Sequence, residues 1–513
     1  MHDGVTCASR YEKLAATRET YLERARECAK LTLPSVVPPA GHTYSSRLPT
    51  PYQGIGARGV NYLAARLLLS LLPPNTPFFR LTLSDFEAAE LAQRPDARGE
   101  IEAGLSAIER AVMEEVEQSG LRAPLFEALK HLIISGNCLI YLPASGGTRV
   151  YGLDRYVVSR DADGNLLDIT IKESVSPATL EPDVAALITD HKDGEDVDIY
   201  TKYFRDGKRW RLYQELDNGV VIPGSEGNWP IDKGPMLALR WNTIDAENYG
   251  RGYVEEYLGD LISLEGLSRA ILEASAAASK VVFLVQPNGV TRMQDLAEAE
   301  SGDFKSGNAA DVSTLQVQKQ ADMAVAANAA QRIEQRLAQA FMLYDSIQRD
   351  AERVTSTELT LLANALEASL GGLYSNLSQT LQLPLVKRLM ERMQRQKRLP
   401  SLPDGVIKPS IVTGTAALGR GNDLNNLMQF MQVVGSLGPG VLEQFMNVDE
   451  FIIRTGASLG IDMGGLVKTR EQLAMEQQAQ LEAQQQQQLA SIAQSAAPQA
   501  VKAAADAVSQ QQQ

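Results

Sequence analysis

The chain has 513 residues, of which 44% are hydrophobic and 22% are charged, and its formal net charge is −14. This is the composition of a globular protein long enough for several domains. Tight, sequence-independent binding to a phosphate backbone depends on Lys and Arg, so the acidic excess argues against a protein that holds DNA firmly. The three cysteines, Cys7, Cys28 and Cys138, have no CxxC spacing, and we expect reduced, buried thiols.

Membrane insertion and secretion are not indicated. The densest apolar run, Leu67–Leu72, is far shorter than the roughly 18 residues that span a bilayer. Met1–Arg10 is polar and shows no secretory signal pattern. We therefore expect a soluble, intracellular protein with no stable membrane association.

The first half of the chain begins with helices and continues with strands. Gly54–Leu72 has its apolar residues on one helical face, and Ala162 to Asn165 separates two β-type runs in the manner of a hairpin turn. The second hairpin turn is predicted at Asp206-Gly207. The predicted helices are Ser9–Leu31, Gly54–Leu72, Glu100–Glu117 and Leu125–Ser135, and the predicted strands, which form one mixed or antiparallel sheet, are Tyr156–Arg160, Leu166–Ile171, Asp196–Phe204, Arg209–Glu215, Val220–Pro223 and Pro235–Trp241.

Two long helices enclose a small insert in the middle of the chain. Helical patterns cover Tyr253–Lys280 and Ala324–Tyr344, and β-type runs at Val281–Val285 and Thr314–Val317 lie between them. A helix of about 28 residues is roughly 42 Å long, which suits a stalk better than a compact core. The pattern predicts a two-helix stalk that carries a small domain at its tip.

The last third begins with a polar loop and a long helix. Thr355 and Glu358 have capping-box spacing, and Gly371-Gly372 and Pro384 are expected to break or bend the helix that follows. A strand is predicted at Val406–Thr413. Short helices are predicted at Asp423–Val434, Gly440–Met446 and Asp449–Leu459, and the Gln/Ala-rich tail from Glu471 is expected to be mobile or to fold only on assembly.

Motifs that could carry chemistry are weak. Gly54–Gly59 reads GxGxxG, but Pro49 and Pro51 exclude the preceding strand of a dinucleotide site, so a tight turn with close helix packing is favoured. Asp161, Asp163 and Asn165 resemble the start of a calcium loop, yet Leu166 replaces the required glycine, which favours a hairpin. No P-loop pattern is present, and His131 is expected to be structural. We predict no catalytic, cofactor or metal site.

Two charged segments leave alternatives open. Six basic residues end the long helix, and they predict either a solvated helix terminus or a contact with DNA or an acidic neighbouring subunit. Five acids on the first stalk helix predict either acidic bands that face inward or intersubunit salt bridges. The basic residues are Lys387, Arg388, Arg392, Arg395, Lys397 and Arg398, and the acids are Glu255, Glu256, Asp260, Glu265 and Glu273.

Five segments, in chain order, carry a family resemblance: Tyr52–Ala64, Leu125–Pro143, Tyr249–Leu267, Asp345–Lys387 and Thr413–Leu427. The most distinctive motifs within these segments are QRDAERVT, LGGLYS and LQLPLV. Together they resemble the portal, or head-to-tail connector, family of short-tailed, autographivirus-type bacteriophages. The extreme N-terminus and the Gln/Ala-rich C-terminus add nothing to the likeness.

The resemblance implies an α+β, predominantly helical portal fold. Its parts would be a wing of helices and a mixed β-sheet, a two-helix stem, a small α/β clip and a helical crown. By position, the wing would comprise 1–250 and 355–420, the stem helices 251–280 and 324–345, the clip 281–323, the tunnel loop 346–354, the crown 421–470 and the tail 471–513.

The resemblance also implies a function and partners. About twelve copies would form a ring at one capsid vertex, through which double-stranded DNA is packaged and later ejected. The large terminase subunit, tail or adaptor proteins, and major capsid and scaffolding proteins would be its partners, in the host cytoplasm during assembly and then in the virion. Gln348, Arg349 and Arg353 would contact DNA in the channel, and the clip residues Asn288, Arg292, Asp303 and Lys305 would dock terminase and tail proteins.

Two other classes of protein stay open at this point. A nucleotide-binding enzyme would use Gly54–Gly59, and a coiled-coil scaffold or tail adaptor would use the Ala/Gln-rich helices. The apolar positions of Leu258–Leu272 and Ile333–Leu343 do not sustain heptads, which counts against a coiled coil.

Overall fold

A computed structural model describes most of the first 411 residues. The chain divides into two compact units, Met1–Gly419 and Arg420–Gln513. The predicted tunnel loop (346–354) and the capping box at Thr355 and Glu358 lie outside the described residues, and so do the predicted crown and C-terminal tail apart from single residues at 432, 475 and 478. The described residues are 6–43, 45–74, 77–83, 95–188, 195–279, 282–315, 320–343, 370, 372–400, 406–411, 432, 475 and 478.

Helices make up the larger share of the described chain. The four predicted N-terminal helices are confirmed within a few residues, and so is the second stalk helix. The helices are α1 (Cys7–Lys30), α2 (Ile55–Leu71), α3 (Pro95–Gln118), α4 (Arg122–Ser135), α5 (Pro182–Ala185), α6 (Tyr253–Glu256), α7 (Leu258–Ala278), α8 (Met293–Ala297), α9 (Gln320–Ala340), α10 (Leu373–Leu377) and α11 (Leu383–Arg395).

The described strands pair only in antiparallel fashion. The strands are β1 (Phe79–Leu83), β2 (Asn137–Tyr141), β3 (Arg149–Tyr151), β4 (Tyr156–Arg160), β5 (Leu166–Val175), β6 (Val197–Asp206), β7 (Arg209–Leu216), β8 (Gly227–Pro230), β9 (Met236–Arg240), β10 (Val282–Val285), β11 (Val312–Leu315) and β12 (Ile407–Ile411). They form a five-stranded sheet in the order β4-β5-β6-β7-β8, a three-stranded sheet in the order β3-β2-β9, and the pairs β1-β12 and β10-β11.

The single mixed or antiparallel sheet expected in this region is therefore wrong. Met236–Arg240 pairs with β2 rather than with the hairpin strands, because β2 offers it an almost wholly buried partner strand. The run predicted at Val220–Pro223 contributes only an isolated bridge from Val221 to Glu215, and the last strand is Gly227–Pro230 instead. The two hairpins are confirmed, with Gly164 and Gly207 at positive φ in their turns.

The core surrounds α2 and α4. Val60, Leu63 and Leu67 on α2 are fully buried, and residues 131–135, the last five of α4, are all buried. A helical segment that is buried on every side is enclosed by other elements, and α4 contacts α1, α2, α6 and β2. The five-stranded sheet packs against α1 on one side. This core fixes the base from which the stalk helices extend.

The stalk is an antiparallel pair of helices, α7 and α9, which we call the helical hairpin. Arg336 near the end of α9 bonds to Asp260 near the start of α7, which sets the antiparallel direction. The continuous helix expected over Tyr253–Lys280 is wrong at one point. Tyr257 interrupts it, and its N–H bonds to Val254 in a tighter turn that separates α6 from α7.

The tip of the helical hairpin is a small domain formed by residues 282–315, which we call the tip domain. The predicted β-type runs are confirmed as β10 and β11, which pair with each other from Val282 with Leu315 to Val285 with Val312. The short helix α8 and the loops on either side of it complete the domain.

The helix departs from regular α-helical geometry just before Pro384, where a bend or break was predicted. Residues Ser378–Gln382 make a π-helical turn between α10 and α11. Proline has no N–H, so Pro384 cannot bond to the carbonyl of Thr380, and the helix widens at that place. The strand predicted at Val406–Thr413 is confirmed as β12 in its described part, and it pairs with β1, which the sequence pattern did not predict.

Candidate functional site

The glycine motif at the start of α2 serves close packing. A Cβ on Gly56 would lie 2.4 Å from the carbonyl oxygen of Leu31. The side chain of Gln53 accepts a hydrogen bond from the N–H of Gly56 at 2.9 Å and donates to the Leu31 carbonyl at 2.6 Å. This geometry confirms the prediction of a tight turn with close helix packing.

Backbone donors next to this helix start already have an acceptor. The N–H groups of Tyr52 and Gln53 donate to the carboxylate of Glu265, on α7, at 3.0 and 3.2 Å. A nucleotide phosphate at a helix N-terminus would need backbone N–H donors that have no other acceptor. Glu265 and Gln53 occupy the place where a pyrophosphate would bind, which removes the geometric basis of the nucleotide interpretation.

Aromatic rings anchor the end of the helical hairpin that is farther from the tip domain, where α9 ends and α7 begins. Phe341 is fully buried directly after α9 and packs edge-on against Tyr253, with ring centroids 6.0 Å apart. The hydroxyl of Tyr253 donates to the carbonyl of Ala340 at 2.8 Å. The predicted channel residues Gln348, Arg349 and Arg353 follow this anchor in the sequence, but they lie outside the described residues.

Three of the five acids of the first stalk helix form ion pairs within the chain. Asp260 accepts from Arg336 at 2.8 Å, and Glu273 accepts from Arg269 at 2.8 Å. Glu255 lies 3.1 Å from Arg24 of α1. The two alternatives that the sequence left open, inward-facing acidic bands and intersubunit salt bridges, concern the assembled ring and stay predictions. Sequence spacing could have indicated the pair of Arg269 with Glu273, four residues apart on one helix.

The four predicted docking residues all lie in the tip domain. Asn288, Arg292, Asp303 and Lys305 are exposed, and they come from the loops on the two sides of α8. The structure thus places them on one small domain and leaves their side chains available to a partner.

A buried carboxylate holds the loops of the tip domain together. Asp311 accepts hydrogen bonds from both the N–H and the hydroxyl of Thr291 at 3.1 Å. The Thr291 hydroxyl in turn accepts from the N–H of Asn308 at 2.8 Å. Sequence reasoning missed this cluster, since nothing in the local pattern marks Asp311 as buried.

Apolar side chains are exposed on the tip domain and the helical hairpin. Phe304 is fully exposed, and Phe283 and Met293 are about two-thirds exposed, at 64% and 69%. Exposed apolar side chains of this size are typical of interaction surfaces. Among the described residues, those of the hairpin and tip are Ile262, Leu272, Phe283, Leu284, Val290, Met293, Leu296, Phe304 and Val325. Sequence analysis missed this surface, although Phe304 within a polar loop was a usable signal.

The basic run on α11 is a structural ion-pair network. Arg388 is only 1% exposed, and it donates to Glu391 at 2.5 Å and to the Leu142 carbonyl at 3.1 Å. Arg392 donates to Glu115 of α3 at 2.5 Å, and Arg398 bonds to the same carboxylate. Both interpretations from the sequence are therefore wrong for the buried members.

The electrostatics of this network follow from its geometry. Burial raises the pKa of the Glu115 carboxyl, but hydrogen bonds from Arg398 and Arg392 outweigh burial, and the pKa lies below its ordinary value. Arg395 and Lys387 also have acidic partners, Glu391 at 2.7 Å and Asp232 at 3.8 Å. Lys397 is exposed, in the turn that follows α11.

Other candidate groups have structural roles. Asp161 accepts from the N–H of Asn165 at 2.7 Å, as in a hairpin turn. His131 is buried in α4, and burial lowers its pKa to about 4. The three thiols are free and buried, and burial raises the pKa of Cys7 and Cys28 to about 12, far from the value of a reactive thiolate.

Membrane-spanning helices and metal-binding clusters are absent from the described part of the chain. No helix there is long and apolar enough to cross a membrane. No group of three or more His, Cys, Asp or Glu residues there could hold a metal ion.

These features define a class of structural subunit, with a helical core, a helical-hairpin stalk and an apolar, exposed tip. Residues 5–467 match the model of the family described as bacteriophage head to tail connecting protein. The chain is similar to the portal protein of Escherichia phage T7, with 40% identity over 97% of this chain and 96% of the relative. It is also 40% identical to the portal protein of Enterobacteria phage T3, over 92% and 90% of the two chains.

The chain belongs to the bacteriophage head-to-tail connecting protein family. It therefore serves as a structural portal subunit at the junction of head and tail. Among solved structures, a chain from the neck of an empty GTA particle covers 78% of this chain and 90% of its own length at 14% identity. Its TM-score is 0.37, a likeness too weak to support an argument.

Proposed function

We propose that about twelve copies of the chain close head to tail into a ring around a channel for double-stranded DNA. The ring occupies one vertex of the capsid, in contact with capsid and scaffolding proteins, and DNA enters and leaves through its channel. In this proposal, 1–250 and 355–420 form the wing, 251–280 and 324–345 the stem, 281–323 the clip, 346–354 the tunnel loop, 421–470 the crown and 471–513 the tail.

The apolar surface of the helical hairpin is the observation that carries this proposal. Only Leu261 and Leu264 are buried among the 21 residues of α7, and Ile262 and Leu272 are more than half exposed at 55% and 54%. A surface helix normally buries one apolar stripe and exposes a polar face. The exposed apolar residues of α7 call for further partners, and neighbouring copies in a ring would supply them.

Weak contact with the passing DNA is consistent with the charges. The chain has 63 acidic and 49 basic residues. Arg349 and Arg353, with Gln348, would touch phosphates briefly at the narrowest part of the channel, while the acidic excess prevents firm binding. In this proposal a separate terminase motor drives the DNA through the channel, and the subunit itself is not an enzyme.

The tip domain would be the docking surface. Asn288, Arg292, Asp303 and Lys305 are exposed in the same small domain as the exposed apolar side chain of Phe304. An apolar centre with a polar rim is the usual composition of a protein interface. The large terminase subunit would bind there during packaging, and tail or adaptor proteins would replace it afterwards.

The ring is tested by measuring the mass and symmetry of the purified protein. A subunit of 55.8 kDa gives roughly 670 kDa for a ring of about twelve, seen as annular particles with a central hole. The double variant Ile262→Asp/Leu272→Asp should reduce these particles to small species.

The control variant is Val220→Asp/Ile244→Asp, which alters two partly exposed apolar residues outside the hairpin, at 38% and 41% exposure. It should leave the rings intact. Wild-type protein that remains a monomer or dimer, also when capsid and scaffolding proteins are present, would contradict the proposal.

A further inference from the structure

The β1-β12 pair has one apolar face and one cationic face. Arg80 lies opposite Ser410, and Thr82 lies opposite Lys408, so these four side chains share one side of the two-stranded ribbon. Phe79 and the alternating residues on the other side pack into the core. The sequence pattern did not predict this face, because β1 was not recognised as a strand.

A groove of about 500 Å³ lies between this ribbon and the π-helical turn. Polar groups line both walls, and no carboxylate occurs among the described residues that line it. Thr82, Lys408 and Ser410 come from the ribbon, and Ser375, Ser378 and Gln379 come from the helical side. π-helical turns are rare and occur frequently at functional sites.

Among the described residues, the two cations of this surface have no acidic partner. Within the described part of the chain, neither Arg80 nor Lys408 forms an ion pair, whereas the cations of α11 bind Glu115, Glu391 or Asp232. Lys408 lines the groove, and Arg80 lies on the same face of the ribbon. The positive charge is therefore available to an external anion.

We propose that this ribbon and groove form a second contact site for the DNA phosphate backbone, separate from the tunnel loop. Arg and Lys neutralise phosphates, and Ser, Thr and Gln side chains donate hydrogen bonds to phosphate oxygens without reading sequence. The site rests on the proposed function, in which DNA passes through the ring. Two cations per subunit give a weak, repeated contact rather than a firm one.

The test is the salt dependence of binding between purified rings and a short duplex of random sequence. The variant Arg80→Gln/Lys408→Gln is compared with Lys13→Gln/Lys208→Gln, which removes the same charge from two exposed lysines on α1 and on the β6-β7 turn. The first variant should reduce the slope of log K against log salt by about 1 to 2, and the control should not. Melting temperature and ring mass are measured for all variants.

A second variant guards against a misfolded ribbon, since Arg80 is half-buried. Ser375→Glu/Gln379→Glu alters two exposed side chains on the helical wall of the groove and adds negative charge. It should weaken DNA binding about tenfold at low salt with the rings intact. Binding equal to that of the control in both variants would overturn this site and leave the ring proposal standing. Absence of rings in the wild-type protein would instead count against the proposed function.

Discussion

Phe341 lies directly on Gly59. A Cβ atom added to Gly59 would be 2.5 Å from Cγ of the Phe341 ring, a distance that no real side chain tolerates. Gly59 is in the first turns of α2, and Phe341 follows the last residue of α9. The absence of a side chain at Gly59 thus lets the core helix and the end of the helical hairpin meet at full packing density.

Replacement of Gly59 by Ala should displace Phe341. Overpacking of this kind costs about 1 to 3 kcal/mol of folding free energy, which thermal unfolding would show as a lower melting temperature. The control is Gly104→Ala on α3, where a Cβ would meet nothing within 4 Å. Because alanine favours a helix over glycine by about 1 kcal/mol, the control should be neutral or stabilising. Equal melting temperatures of the two variants would show that Phe341 moves freely.

Local sequence patterns predicted the features that depend on neighbouring residues. The hairpin of β4 and β5 follows from alternating apolar residues on either side of Gly164, and the end of α2 follows from Pro73-Pro74. A break or bend before Pro384 was predicted from the proline itself, but the π-helical turn that the structure has there was not predicted. Each of these signals lies within a few residues of the structure that it produces.

Features that depend on distant partners could not be predicted in this way. Arg392 and Glu115 are 277 positions apart, and only the packing of α11 against α3 brings them together. β1 was not predicted, and its partner strand comes more than three hundred residues later. For this reason the local sequence of the basic run at the end of α11 favoured a solvated helix terminus, since its acidic partner on α3 is distant in the chain.

Replacement of Glu115 by Gln should destabilise the protein strongly. The change leaves the buried Arg392 guanidinium without a counter-charge, and breaking a buried pair from one side costs about 3 to 5 kcal/mol. Glu117→Gln on the same helix is the matched control, since its partner Arg122 is on the surface and such pairs contribute about 0 to 1 kcal/mol. Denaturant unfolding of both variants measures the difference, and equal midpoints would contradict a role for the network in stability.

His131 should make stability depend on pH in a defined window. Burial lowers its pKa from 6.5 to about 4; the charge of Asp154 raises the pKa and that of Arg155 lowers it, both by smaller amounts. Between these values the unfolded chain binds a proton that the folded chain does not, so stability is full above pH 6.5 and falls as the pH falls. The loss reaches about 3 kcal/mol near pH 4.

The variant His131→Gln isolates this effect from other titrating groups. The difference in unfolding free energy between wild type and variant should change between pH 7 and pH 4, because only the wild type loses stability through this residue. A difference that stays constant across that range would show that the imidazole is not buried in its neutral form.

Asp311→Ala should loosen the tip domain without affecting the core. Loss of the two hydrogen bonds to Thr291 leaves buried donors unsatisfied, at a cost of about 1 to 3 kcal/mol. Hydrogen exchange of residues 286–311 should accelerate by about tenfold or more, while α4 remains protected. Asp303→Asn serves as the control, because Asp303 is exposed and its substitute still accepts from the N–H of Glu300. If Asp311→Ala exchanged no faster than this control, the loops would owe their arrangement to contacts other than the Asp311 carboxylate.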